Sequence, residues 1–210
     1  MKQLSKKVAL VFLGLILMTA VAGYNAIAED KSGFLSVTGP CSLVFPKDHG
    51  SHPGYRTEWW YYTGNLEAET GNRYGFQLTF FRSQIAAPAD EKRWPRPASA
   101  WRTRQIYLGH AAVTDISNKR HLQSEVMARG ILGMAGVSQE EMDTLIFIKN
   151  WSAKIEADRH LLKTATDDFS YQLTLKPAKP PVLHGCLLYT SDAADDRRGV
   201  LLWGGGVWVF

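Results

Sequence analysis

Cysteine is nearly missing from this 210-residue chain, which has only Cys41 and Cys186. They allow at most one bridge, formed only in an oxidising compartment. No Cys or His spacing fits a zinc site, so no metal is expected. No Gly-rich phosphate loop or dinucleotide fingerprint appears, no Gly-x-Ser-x-Gly nucleophile elbow and no short-period repeat, so no cofactor is expected either. Clustered Lys and Arg are also scarce, which argues against a nucleic-acid partner. The exception is the run from Lys92 through Arg93, Arg96 and Arg102 to Arg104, with Trp94 and Trp101 interleaved. It is taken as a solvated loop between strands, with anionic headgroups or a partner protein as the lesser alternative.

The net charge of +4 is largely a property of the first residues. Lys2, Lys6 and Lys7 precede an apolar run from Val8 to Gly23, and Ala26-Ile27-Ala28 offers a small-x-small cleavage site. Those three parts make a secretory signal over residues 1–28, cut after Ala28, so a periplasmic or secreted address is expected. The apolar run falls short of the roughly 20 residues a spanning helix needs, and Tyr24 stands where a lipidated cysteine would be, so anchoring is disfavoured. Without the three leader lysines, 21 basic side chains face 20 acidic ones, leaving +1.

What the chain has in abundance is aromatic, β-prone sequence. Phe45 to Gly54 carries prolines, glycines and two histidines and should be an ordered loop, whereas Tyr55 to Leu66 should be a strand. Alternate residues on a strand share a face. Arg56, Glu58, Trp60 and Tyr62 then lie on one side, and Trp59 and Tyr61 on the other. Charges beside large rings suggest the wall of a ligand cavity, with Arg56 and Glu58 as a pair; a core strand carrying a structural ion pair is the plain alternative. A polar turn at Gly71-Asn72 leads to a second strand, Tyr74 to Phe81, with Phe76 and Phe80 on one face. A long loop, Ala86 to Trp101, precedes a third strand, Gln105 to Thr114, whose Gly109, Ala111 and Ala112 leave room for close packing or for a ligand. His110 shares a face there with Leu108 and Ala112. Residues 124–137 stay undecided between a short helix and an irregular crossing. Leu145–Ile148, Trp151–Ala157, His160–Thr166 and Phe169–Leu175 form a meander. About seven evenly spaced strands predict an all-β, antiparallel up-and-down barrel.

From Phe45-Pro-Lys-Asp-His-Gly-Ser-His-Pro to Arg56-Thr-Glu-Trp-Trp-Tyr, the chain resembles the opening signature of the AttH family. Those proteins are lipocalin-like and related to carotenoid 1,2-hydratases of the CrtC type. Further matching runs are Tyr74–Arg82, Leu108–Asp115, Ala128–Gly130, Leu132–Gly136, Trp151 and Pro180–Gly185. The resemblance implies a lipocalin-like barrel over residues 43–185, the first of two such domains, with 29–42 as a lead-in and the second domain missing. From Cys186 the sequence departs from the pattern, and residues 186–210 are expected to be non-native or disordered.

The resemblance implies a hydrophobic ligand, isoprenoid or lipid-like. Arg56, Glu58, Trp59, Trp60, Tyr62, Phe76, Phe80 and His110 are the candidate binding residues, with His52 orienting at the mouth. The family's link with transporter genes implies ABC-transporter subunits as partners. The hydratase kinship implies the alternative, water addition to an isoprenoid double bond. That chemistry needs a proton donor, for which Glu58, Asp48 and His52 are the weak candidates. Glu58 would serve as an acid if it sat in an apolar cavity. The residues credited with acid chemistry in those hydratases resemble positions of the second domain, so this fragment alone is expected to be inactive. A purely structural role for the Asp48–Pro53 loop is the remaining alternative.

Overall fold

The computed structural model describes residues 27–29, 32–37, 43–97, 99–140, 143–156, 158–180 and 200–201. Residues 1–26 of the expected leader and both cysteines lie outside the described residues, as does the 186–210 tail except for its two-residue strand. β1 (Ile27–Glu29) and β2 (Leu35–Val37) form a small antiparallel ladder ahead of the main body.

The aromatic run forms β3 (Thr57–Glu67), which turns through Gly71, at φ 82°, into β4 (Arg73–Gln84). Only glycine adopts that backbone readily, which fixes the hairpin and its register: Glu58 lies opposite Arg82, and Trp60 opposite Phe80. β5 (Gln105–Asp115) and β6 (Arg120–Arg129) extend the sheet antiparallel. A two-residue strand, β12 (Val200–Leu201), pairs in parallel with β3 at Thr57 and Glu58.

A corner at Gly130–Met134 leads to the second sheet, a meander of β7 (Ala135–Glu140), β8 (Asp143–Ile148), β9 (Trp151–Ile155), β10 (His160–Ala165) and β11 (Ser170–Leu175). The segment left undecided in sequence is therefore the end of β6, the corner and the start of β7. Its three glycines obscured two short strands.

The chain has the antiparallel, lipocalin-like β class expected of it. Among the described residues no ladder joins β6 to β7 or β11 to β3, so the up-and-down strands form two five-stranded sheets. Leu78, Phe80, Ile146, Ile148, Ile155 and Leu162 are sealed between them, at 0–2% exposure. A Cβ on Gly109 would meet Val126 Cγ1 at 2.9 Å and Trp151 Cε3 at 3.1 Å. At that glycine, then, the missing side chain serves close packing of the sheets, with Trp151 in its place.

Candidate functional site

The segment 45–55 covers one end of the two sheets. It contains a single 3-10 turn, Lys47–His49, and is held by groups that converge from both sheets. From β3, Trp60 Nε1 donates to the carbonyl of His49 (3.0 Å). From β4, Gln84 Nε2 donates to the carbonyls of Pro53 (2.8 Å) and Tyr55 (2.5 Å). From β7, Gln139 Nε2 donates to the carbonyl of Lys47 (2.7 Å).

Glu58 is the centre of the arrangement. Its Oε2 accepts from Arg82 Nε (3.0 Å), its two oxygens accept from the backbone N–H of His52 (3.1 Å each), and Oε1 meets His52 Nδ1 at 2.5 Å. The Nη2 of Arg82 donates to the carbonyls of His52 (2.9 Å) and Tyr55 (3.2 Å). His52 Nε2 lies 3.3 Å from Asp48 Oδ1. The hydrogen bond to Glu58, then the charges of Glu58 and Asp48, hold the His52 imidazole pKa above its ordinary value against burial. As an imidazolium it donates from both nitrogens, one to each carboxylate. The cluster runs from the half-buried Asp48–His52 pair to Glu58 and Arg82, which are fully inside.

A second, neutral cluster lies beside it. His49 and His160 meet edge to face at 5.7 Å, and the Tyr62 hydroxyl lies 3.3 Å from His160 Nδ1. Burial first, then the neighbouring His160, pushes the His49 pKa down to about 4; burial lowers that of His160 as well. Burial raises the Tyr62 phenol well above its usual range. Two histidines a few residues apart in one loop thus shift in opposite directions: the hydrogen bond to Glu58 prevails at His52, and burial prevails at His49.

Asp48, His52 and Glu58 do come together, and Glu58, Trp60 and Tyr62 do point inward. The expected Arg56–Glu58 pair does not form. Arg56 precedes β3, is exposed, and sets its guanidinium 5.7 Å from the Phe34 ring centroid; Arg82 takes its place on the carboxylate. Nor is Glu58 in an apolar cavity, since the hydrogen-bond donors around it replace water. Trp60, Tyr62, Phe76 and Phe80 are members of the sealed core. Trp59 and His110 lie on the outer face, each against Phe81 (5.6 and 5.1 Å between ring centroids), and His110 sits 3.5 Å from Glu125. Sequence reasoning missed Arg82, Gln84 and His160 as site residues. A signal for Arg82 was present: a hairpin turning at Gly71 places it directly across from Glu58.

Two buried donors, Thr164 Oγ1 in the second sheet and a guanidinium nitrogen of Arg82 in the first, lack a hydrogen-bond partner among the described residues. Arg82 is fully buried, and its Nη1 has no hydrogen-bond acceptor among the described residues. Such groups are scarce in folded proteins, because a buried guanidinium hydrogen without an acceptor is costly. Among the described residues no group of three His, Cys, Asp or Glu is arranged to hold a metal ion.

Comparison with known proteins gives a consistent family. The family model described as AttH-like matches residues 36–198. The crystal structure of a provisionally assigned AttH from Nitrosomonas europaea shares 30% identity with the chain and superimposes with a TM-score of 0.52. That match covers 67% of this chain and 39% of the other, so the chain spans about two fifths of its relative's length. No curated protein matches the chain.

Proposed function

The chain belongs to the AttH-like family, and from that premise we propose that it binds an elongated apolar molecule, isoprenoid or lipid-like, bearing an oxygen at one end. The unspent Nη1 donor of Arg82, buried at the loop-covered end of an aromatic interior, is the observation that carries this reading. An oxygen acceptor satisfies that hydrogen, while the apolar body of the molecule lies against aromatic surface. Segment 45–55 is the part that must yield for entry, since side chains fill the space between the sheets. The leader-like residues 1–28 support an address outside the cytoplasm for this activity, and transporter subunits are the partners proposed for it.

Water addition to an isoprenoid double bond is the second reading, favoured by the His52 imidazolium and its link to the half-buried Asp48. In that chemistry His52, rather than Glu58, is the proton donor: Glu58 accepts every hydrogen bond it makes here.

Tryptophan fluorescence, titrated with a polyprenol, a fatty acid, an acyclic carotene and a saturated hydrocarbon of matched length, tests the binding. Saturable changes with the oxygenated ligands at about tenfold or more lower concentration than with the hydrocarbons are expected, as one added charged-donor hydrogen bond implies. No saturable change with any of the four rejects the binding reading. Equal affinity across them removes Arg82 from it.

A further inference from the structure

We infer that the β4–β5 loop and the β6–β7 corner together form a surface that docks on an anionic phospholipid bilayer. Both lie at the end of the first sheet that also carries the loop-covered cluster. Ile85 N–H donates to the Arg104 carbonyl, Thr103 Oγ1 to that of Gly130, and Arg129 to that of Trp101. These bonds close the β4–β5 loop and join it to the β6–β7 corner in one rim.

Two properties of the rim point to a lipid surface. The first is exposed apolar bulk: Ile85 is 62% exposed, Trp101 63% and Leu132 59%. Leu132 stands at the tip of the corner with φ 49°, a left-handed backbone unusual for a branched side chain, which turns it outward instead of into the core. The second is charge. Residues 85–104 hold five Lys or Arg against Asp90 and Glu91, a net +3, whereas the chain beyond the leader totals only +1. Everything else outside the leader therefore sums to −2, and the loop's sign is a local feature. Both acids are already engaged, Asp90 with Arg93 and Glu91 with Arg104 at 3.2 Å. Lys92 and Arg96 are exposed and pair with nothing among the described residues. Arg102 lies 5.5 Å from the centroid of the Trp94 ring, a stack that keeps a ring and a cation at the same level.

Tryptophan beside exposed aliphatics belongs at the depth of lipid headgroups, and cations beside it meet anionic phosphates. An acidic protein would use the charge but leaves three protruding apolar side chains unexplained. The rim connects to the buried cluster through Gln84, which accepts from Arg104 and donates to the Tyr55 carbonyl beside Arg82. Docking on a bilayer brings the 45–55 segment close to the membrane. The inference stands without a bound ligand, because it rests on the rim alone.

The full chain is tested by co-sedimentation with vesicles of phosphatidylcholine alone and of phosphatidylcholine with about a third phosphatidylglycerol. The apolar leader contributes equally in every variant, so the anionic-to-neutral partition ratio is the quantity read. Wild-type chain is expected to favour the anionic vesicles, and Lys92→Glu with Arg96→Glu to cut the ratio about tenfold or more, an effect that salt suppresses. Trp101→Ser is expected to weaken binding to both vesicles several-fold, and brominated lipid to quench wild type more than Trp101→Phe. All three positions are solvent-facing, so circular dichroism should match wild type. An anionic preference that survives the charge reversals overturns the inference, as does quenching unchanged by Trp101→Phe. No preference in wild type also overturns it, leaving an acidic protein as the partner of the rim.

Discussion

The two sheets solve the same packing problem with different materials. In the second, β8, β9 and β10 point Ile146, Ile148, Trp151, Ala153, Ile155 and Leu162 inward, and the buried polar side chains there, among the described residues, are Thr144, His160 and Thr164. The first sheet also buries Glu58, Arg82 and Gln84, all at the end covered by segment 45–55. Apolar packing is tolerant of small changes, because it is the sum of many weak contacts. A buried ion pair is not: its partners are desolvated and depend on each other. The expensive chemistry therefore sits where a long loop needs fastening and where Arg82 Nη1 has no acceptor among the described residues, the end to which we assign the proposed ligand.

The comparison makes unequal demands on the two sheets. Arg82→Met should be the most damaging single change, costing about 3–5 kcal/mol because it strands the Glu58 carboxylate inside the protein. Adding Glu58→Gln to it should cost less than the two separate losses combined, since the second change removes the stranded charge. In the second sheet, Ile148→Val should cost only about 1 kcal/mol. Chemical denaturation of the four variants checks the order; equal losses at Arg82 and Ile148 would remove the distinction drawn between the sheets.

The two histidine environments give a smaller effect with opposite signs. His52 has its pKa raised in the fold, so its contribution is complete below the unfolded value of 6.5 and lost as pH rises through the folded value. His49 and His160 have theirs lowered, so their contribution is complete above 6.5 and lost as pH falls toward the His49 value of about 4. Stability should therefore decline on both sides of an optimum near neutrality. His49→Asn should flatten the acid limb, and His52→Gln the alkaline one. Smallest of all, His110→Ala should leave the melting temperature unchanged, because that ring lies on the outer face beside an exposed carboxylate.

Much of this was legible in the sequence, and the gaps have physical reasons. The alternation from Glu58 to Tyr62 named the buried face because a strand's period of two leaves no freedom once one side is known. Arg56 failed because it lies one residue before the strand begins, where that period no longer binds it. His110 failed because Leu108 and Ala112 look like core neighbours; which face of β5 is buried was decided by Tyr107, Gly109 and Ala111, two of them too small to announce it. His160 stands more than one hundred positions beyond His49, the loop residue it touches, and no local pattern reports such a contact. The missing ladders between β6 and β7, and between β11 and β3, could not be read from even strand spacing, which is the same for a barrel and for two stacked meanders.

Amide hydrogen exchange, measured in wild type and in Glu58→Gln, tests most directly whether the buried charges of the first sheet fasten the loop. The N–H of His52 donates to the Glu58 carboxylate, and that of Tyr55 to the His52 carbonyl. In the variant both should exchange about tenfold or more faster, while the amides of Ile146 and Ile155 keep their wild-type rates. Unchanged exchange at His52, or an equal acceleration in both sheets, would contradict the account.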